Sequence, residues 1–241
     1  TGTNEEAEKI ACEEKVDLGG RLLLPGFVDT HLHMLHYAFV ERSVKLFDCT
    51  SVEEMLDAAK KRIEEHAGKP LTWLYCRGWN EEHFAEPRYP HKDELDALST
   101  EIPIIMVRVC GHVGVCNSRG LELLKTIPQF SEIEKDVDLE TGLIKENAVQ
   151  FYYSLLDTPS QKEVENYITY SAKKLNECGF TGVQSDDLAA LPGKNWKRIM
   201  NAYKALDARG ELNVRHYEQC LFERFDDAKA FVEEGYRTGQ R

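Results

Sequence analysis

The chain has 241 residues, of which 42% are hydrophobic and 30% charged, a composition that can form a buried core without disulfide staples. Its 30 basic residues are outnumbered by 42 acidic ones, giving a formal charge of −12. This balance argues against nucleic-acid binding and against docking on anionic membranes, since both need clustered Lys and Arg. No apolar run approaches the roughly 20 residues of a membrane-spanning helix, and the scattered cysteines predict reduced thiols in a cytoplasmic protein.

The first third of the chain contains one predicted strand and one predicted helix. A turn at Pro25-Gly26 precedes a short apolar strand that ends near His33. Residues 51–65 are predicted to be a helix, because Ser51 and Glu54 form a capping-box pattern and the apolar residues follow the helical period. Gly68 and Pro70 are expected to stop this helix.

The middle of the chain has a different pattern. Residues 71–76 and 102–109 are rich in strand-forming side chains, with a charged, proline-containing stretch between them. Asn117 is placed to cap a short helix over 119–125, and residues 138–142 predict a turn.

The last third alternates helices and strands. Helices are predicted at 160–178 and from Trp196 to Gly210, and a last one at 226–234. Strands are predicted at 180–184 and 212–221. This alternation predicts parallel strands in an open sheet or a barrel.

A pair of histidines closes the first predicted strand. His31 and His33 are two residues apart, so their imidazoles lie on one face of the strand, where two neutral rings can bind one divalent cation. Asp29 precedes them on the same face and is a candidate to orient one ring by a hydrogen bond. The carboxyl end of a strand is where parallel α/β barrels keep their chemistry.

Several motifs together resemble one family. Residues 25–33, PGFVDTHLH, resemble the first barrel strand of the amidohydrolase superfamily. Residues 77–80 (RGWN), 108–112 (RVCGH), 141–146 (TGLIKE) and 179–184 (GFTGVQ) are similar to amidohydrolase family 3, which includes N-substituted formamide deformylase.

The resemblance implies an α/β fold containing the first strands of a (β/α)8 TIM-like barrel. Residues 25–69 and 150–241 would form this part of the barrel, residues 70–149 an inserted α+β segment, and residues 1–24 the remnant of a β-sandwich. It also implies a metal-dependent hydrolase that cleaves an amide-like C–N bond of a small molecule with a metal-activated water.

The implied metal ligands are His31, His33 and Glu146, with zinc as the expected metal. Glu146 would replace a bridging lysine, although an ordinary solvated carboxylate is an equal alternative. His112, Trp79 and Asn117 are the candidate substrate contacts. For Trp79 and Asn117 the structural alternatives, an anchor of the insertion and a helix cap, are favoured.

Other clusters admit plainer interpretations. Cysteines 76, 110 and 116, with histidines 83 and 91, could form a zinc cluster, but their spacing matches no compact knuckle and buried core thiols are favoured for all the cysteines. Asp186-Asp187 could hold a cation, although loop capping is commoner. A phosphoesterase of the polymerase-and-histidinol-phosphatase type also opens with His-x-His, but residues 34–36 are MLH where that family has Ser-Asp-Gly.

The predicted strands end after the third barrel strand, and the later ligands of the resembled family have no counterpart here. We therefore expect a fragment that binds metal weakly and is inactive alone, with self-association or a complementary chain covering its unpaired strand edges. The alternative function is a non-catalytic binding module that keeps part of the fold.

Overall fold

The computed structural model of the protein describes residues 2–66, 71–237 and 239. Its strands, in chain order, are β1 (Phe27–Leu32), β2 (Val44–Lys45), β3 (Leu74–Trp79), β4 (Ile104–Arg108), β5 (Val113–Cys116), β6 (Leu143–Lys145), β7 (Phe180–Ser185) and β8 (Arg215–Glu218). Its α-helices are α1 (Asn4–Ala7), α2 (Met34–Glu41), α3 (Val52–Glu65), α4 (Lys92–Asp96), α5 (Ser118–Leu124), α6 (Phe130–Ile133), α7 (Asn147–Tyr153), α8 (Gln161–Glu177), α9 (Trp196–Ala208) and α10 (Phe225–Glu233).

Three parallel strands from opposite ends of the chain form the first sheet. Their order is β1-β7-β8, so β7 lies in the centre although some 150 residues separate it from β1. Helices α2, α8 and α9 bury their apolar faces against one side of the sheet, with Ile168, Val183 and Ile199 in this core. The connection through a helix between parallel strands β7 and β8 is the βαβ arrangement that the alternating pattern predicted.

The second sheet has the order β2-β3-β4-β5-β6. Strands β2, β3 and β4 run parallel, whereas β5 and β6 form antiparallel pairs. Successive residues of β4 alternate between two apolar cores, Ile104 and Met106 on one face and Ile105 and Val107 on the other. Because both faces are covered, β3 and β4 are almost wholly apolar and buried, as the sequence pattern of a central strand requires.

The local helix signals agree with the structure. Ser160 and Glu163 form a reciprocal capping box at α8, and the Ser51 hydroxyl accepts a hydrogen bond from Glu54 N at α3. Helix α3 ends at Glu65. Gly68 and Pro70, the predicted stop signals, lie outside the described residues.

The position of helix α3 differs from the sequence-based assignment. Its buried residues Val52, Met55 and Ala59 pack with β2 and β3 of the second sheet, not with the first sheet. The same core contains Val44, so the structural unit built on the second sheet begins before residue 70. The apolar face of α3 fits either sheet by periodicity, and only tertiary packing selects one.

The amino-terminal segment also differs from expectation. Residues 2–24 contain no strand; they are exposed and include only the one-turn helix α1, so the predicted remnant of a β-sandwich is not seen there. The segment is acidic and lacks the alternating apolar residues that would pair it with a sheet. Strand β8 is also shorter than predicted, four residues in place of residues 212–221.

The structure is thus a mixed α/β fold with two sheets that contain parallel strands. None of the helices in the described residues is long and apolar enough to cross a bilayer. The first strands of a barrel remain a prediction for the sheet β1-β7-β8.

Candidate functional site

His31 and His33 lie where β1 passes into α2. The strand ends at Leu32, and His33 is the N-cap residue of the helix. The two imidazole rings lie on the same side of the chain, with ring centroids 5.1 Å apart. Both residues are exposed, so their free ring nitrogens are open to a ligand.

The start of α2 is fixed by the end of β7. Met34 N donates a hydrogen bond to Ser185 Oγ at 2.9 Å, and Leu35 N donates to Asp187 Oδ1 at 2.9 Å. These bonds satisfy two N–H groups of the first helical turn, which have no partner within the helix. The helix that begins at His33 is therefore attached to the neighbouring strand at its first turn.

Asp186 accepts a hydrogen bond from Nδ1 of His33. The sequence suggested Asp29 for this kind of contact, but Asp29 Oδ1 instead accepts a hydrogen bond from the backbone N–H of His31 at 3.0 Å. The strand period correctly placed Asp29 near the histidines. It could not show that a residue far along the chain makes the ring contact.

A cavity of about 680 Å³ opens beside these residues. It lies between the ends of the two sheets, and its polar lining includes His33, His36, Arg77, Cys110, His112 and Asp186. Burial, and secondarily the Arg77 guanidinium, lower the pKa of His36 to about 4, so this ring is neutral near pH 7. The size and mixed lining of the cavity suit a small organic molecule.

His112 and Glu146 meet at one edge of this cavity. The pairing of β5 with β6 brings them together: Glu146 N donates to the His112 carbonyl at 2.8 Å, and the Glu146 carboxylate lies 3.2 Å from His112 Nδ1. The structure therefore places Glu146 against His112. Among the described residues, it does not join His31 and His33 in a group with ligand atoms close enough to share one ion.

Trp79 and Asn117, the other two predicted substrate contacts, are held in the apolar core of the second unit. Trp79 is fully buried, and its indole N–H donates to the Met106 carbonyl at 3.0 Å. Asn117 is also fully buried and caps α5 by accepting from Gly120 N at 2.9 Å. The structure thus favours the anchor and cap interpretations over substrate contact, because the polar groups of both side chains are already used.

The zinc cluster that was the less favoured interpretation of these cysteines and histidines is not formed among the described residues. Cys76 and Cys116 are buried core thiols, as favoured from the sequence, and Cys110 is exposed at the cavity. Core burial was wrong for several others, since Cys12, Cys178 and Cys220 are exposed.

A second polar cluster lies under helix α9. Ligand atoms of Asp187, His216 and Glu218 all lie within 4.8 Å of one another, the one such trio of acidic, His or Cys side chains found in the described part of the chain. The His216 ring stacks on Tyr203 of α9 with centroids 4.2 Å apart. The cluster therefore lies on the helix-covered face of the sheet.

Most side-chain oxygen and nitrogen atoms of this cluster already take part in hydrogen bonds. Asp187 accepts from Tyr203 Oη at 2.6 Å as well as from Leu35 N, and Glu218 Oε1 accepts from the backbone N–H groups of Asp187 and Leu188 at 2.7 and 3.2 Å. Glu218 Oε2 lies 2.8 Å from His216 Nε2. Within this cluster, His216 Nδ1 is the polar side-chain atom that is buried without a hydrogen-bond partner among the described residues. The arrangement is that of a buried hydrogen-bond network.

Burial sets the protonation of this network. It raises the pKa of Glu218 to about 8 and that of Asp187 to about 6, and lowers the pKa of His216. Near pH 7, Glu218 is therefore largely protonated and donates its O–H to the neutral Nε2 of His216. Sequence analysis missed this cluster, although the i, i+2 spacing of His216 and Glu218 on a strand could have indicated it.

Comparison with known proteins identifies the class. A sequence model of the amidohydrolase family matches residues 14–240, and the chain belongs to that family. It is 33% identical over 208 residues to the protein YtcJ of Bacillus subtilis, covering 84% of this chain and 39% of YtcJ. It is 28% identical over 218 residues to N-substituted formamide deformylase of Arthrobacter pascens, covering 84% of this chain and 40% of the relative.

The fold has relatives among solved structures. An uncharacterized metal-dependent hydrolase of Pyrococcus horikoshii superimposes with a TM-score of 0.63 at 24% identity, covering 86% of this chain and 38% of that one. A second, from Pyrococcus furiosus, gives a TM-score of 0.60 at 22% identity. The family resemblance inferred from the motifs is thus confirmed. The chain spans about two fifths of the length of these relatives.

Proposed function

We propose that this chain carries the first metal ligands and the substrate-facing insertion of a metal-dependent amidohydrolase that cleaves an amide-like C–N bond. The observation that carries the proposal is the histidine pair, with rings 5.1 Å apart, next to a cavity of about 680 Å³. Membership of the amidohydrolase family and the N-substituted formamide named for one relative support a C–N substrate.

His31 and His33 are two donors of the kind that bind a divalent cation, and we propose zinc. Nδ1 of His33 is engaged by Asp186, which leaves Nε2 of this ring as the free donor. Imidazole nitrogen is a preferred zinc ligand. When bound, such an ion polarises a carbonyl group and lowers the pKa of a bound water toward neutrality.

The residues around the cavity have separate tasks in this proposal. His31 and His33 hold the cation beside the cavity. His112, backed by Glu146, faces the same cavity from the second unit, where its Nε2 can contact a polar group of the substrate. We infer that the sheet β1-β7-β8 corresponds to the first three strands of a barrel, which would put His31 and His33 at the carboxyl end of its first strand.

The test is hydrolysis of N-acyl and N-formyl amines by the whole protein that contains this chain, before and after chelation and after zinc repletion. We expect activity to fall on chelation and to return with the metal. His31→Ala should abolish both activity and dialysis-resistant metal, whereas Leu139→Ala, a change at an exposed apolar residue of the second unit, should affect neither. Turnover that survives both chelation and His31→Ala would contradict the proposal.

The alternative function is a non-catalytic binding module. The arrangement of ligands favours it in one respect: His31 and His33 supply two ligands, whereas a catalytic zinc site usually has three protein ligands and a water. Metal binding without hydrolysis of any amide in the series would support this alternative.

A further inference from the structure

We infer that Asp186 is a positioning residue for the metal site, holding the His33 imidazole with its proton on Nδ1 and its Nε2 lone pair free for a divalent cation. The inference rests on the proposed function. It adds a residue that the histidine motif does not contain, which directly follows strand β7 and lies 153 positions further along the chain.

The contact between Asp186 and His33 determines the tautomer of the ring. A neutral imidazole carries its proton on one nitrogen only, and an ionised carboxylate can only accept a hydrogen bond. With the carboxylate of Asp186 at Nδ1, the proton is held on Nδ1 and Nε2 becomes the acceptor. The negative charge of the carboxylate also makes the ring a stronger electron donor to a metal.

The residues on both sides of Asp186 are fixed to the same helix that begins at His33. Ser185 and Asp187 accept hydrogen bonds from Met34 N and Leu35 N, each at 2.9 Å. In addition, Asp187 N donates to Glu218 at 2.7 Å. Asp186 therefore cannot shift relative to His33 without breaking bonds at buried groups, so the carboxylate is preorganised and loses little conformational freedom on binding the ring.

The exposures of the two side chains agree with this role. The Asp186 side chain is 19% exposed, whereas that of His33 is 52% exposed. The carboxylate is thus partly shielded from water, which strengthens its interaction with the ring. The ring itself remains accessible from the cavity that it lines.

The first measurement needs no metal. Nitrogen-15 chemical shifts of the imidazoles in the metal-free chain, recorded above the histidine pKa, report which ring nitrogen carries the proton. We expect His33 to be protonated on Nδ1 in the wild-type chain. Asp186→Ala should shift the population toward the Nε2-protonated form, whereas Glu177→Gln, a charge-matched change at an exposed ion pair of α8, should leave it unchanged.

The second measurement is zinc affinity by competition with a chelator. Asp186→Ala should weaken zinc binding by about 10- to 100-fold, the usual cost of losing a residue that orients a ligand. Asp186→Asn should weaken it less, because the amide oxygen still accepts from Nδ1–H but carries no charge. Asp186→Asn also serves if the alanine variant does not fold.

These outcomes distinguish a failure of the positioning role of Asp186 from a failure of the proposed metal-dependent function. An Nε2-protonated His33 in the wild-type chain, or wild-type tautomer and zinc affinity in both Asp186 variants, would overturn the inference. An Asp186-dependent tautomer in a chain that binds no zinc at any concentration would support the positioning of His33 by Asp186 while contradicting the proposed metal-dependent function.

Discussion

The carboxylate of Glu146 lies 3.2 Å from Nδ1 of His112, and it reaches the ring from a left-handed backbone conformation with φ of 44°. Residues other than glycine rarely adopt this conformation, which costs about 1–3 kcal/mol. Glutamate at this position therefore causes backbone strain, but it provides a carboxylate that contacts the His112 ring. Such strain is concentrated at functional sites.

Glu146→Gly should therefore stabilise the fold while impairing the site. We expect the free energy of unfolding to rise by about 1 kcal/mol, because glycine adopts the conformation without strain. Substrate affinity should fall, because His112 loses its carboxylate partner. Urea denaturation of the chain and the KM of the whole protein that contains it measure the two effects, and Glu140→Gly, a change at an exposed turn, is the control. A destabilised variant with normal KM would contradict this view of Glu146.

Glu218→Gln should alter how stability depends on pH. In the folded chain the pKa of Glu218 is raised from 4.5 to about 8, so the folded state retains a proton that the unfolded state has released. The stability that this proton contributes is complete below the unfolded pKa and is lost as pH rises through the folded one. The raised pKa of Asp187 also makes the free energy of unfolding fall as pH rises, up to about pH 6. The lowered pKa of His216 makes the free energy of unfolding rise with pH, but only below the pKa of histidine in the unfolded chain.

Between about pH 6.5 and pH 8, the effect of Glu218 on the pH dependence of stability is therefore separated from the effects of Asp187 and His216. There the free energy of unfolding of the wild-type chain should fall by up to about 1.4 kcal/mol per pH unit relative to Glu218→Gln. Urea denaturation across this window measures the difference. For the control Glu177→Gln, the plot of unfolding free energy against pH should run parallel to that of the wild-type chain. If the plot for Glu218→Gln were also parallel to the wild-type plot, Glu218 would be ionised in the folded chain.

Asn117→Ala should be strongly destabilising. The buried Asn117 side chain accepts from Ile104 N at 3.0 Å and from Gly120 N, and it donates to the carbonyls of Ser99 and Ile102 at 2.8 and 2.9 Å. Removing it leaves several buried groups unpaired, so we expect a loss of about 3 kcal/mol. Asn195, an exposed N-cap residue whose side chain accepts from Arg198 N, provides the comparison, and its replacement by Ala should cost about 1 kcal/mol. Equal losses in the two variants would contradict the central structural role of Asn117.

Self-association, predicted from the sequence, should involve the exposed apolar residues at and before β1. Leu23 is 77% exposed and Phe27 52% exposed, and β1 is an edge strand in the described sheet. Exposed edges and apolar patches favour pairing with another chain. Light scattering should show a mass that exceeds one chain and rises with concentration.

Leu23→Lys should reduce this mass, whereas Leu139→Lys, at an isolated exposed apolar residue of the second unit, should not. A single-chain mass at all concentrations, or equal masses for the two variants, would refute the prediction.

The local elements and the family could be predicted from the amino-acid sequence. Helices α8 and α9 and strand β7 follow from capping residues and apolar period, and these signals involve neighbours within a few residues. The histidine pair was visible for the same reason, because strand geometry alone puts His31 and His33 on one side.

The partners of those elements could not be predicted in this way, and they became clear from the packing of the folded chain. The amphipathic face of α3 could cover either sheet, and it covers the second. The orienting carboxylate for His33 comes from Asp186 rather than from the nearby Asp29. The physical reason is the same in both cases: apolar period and strand alternation fix the direction of a side chain, whereas the group it meets depends on long-range packing that joins distant parts of the chain.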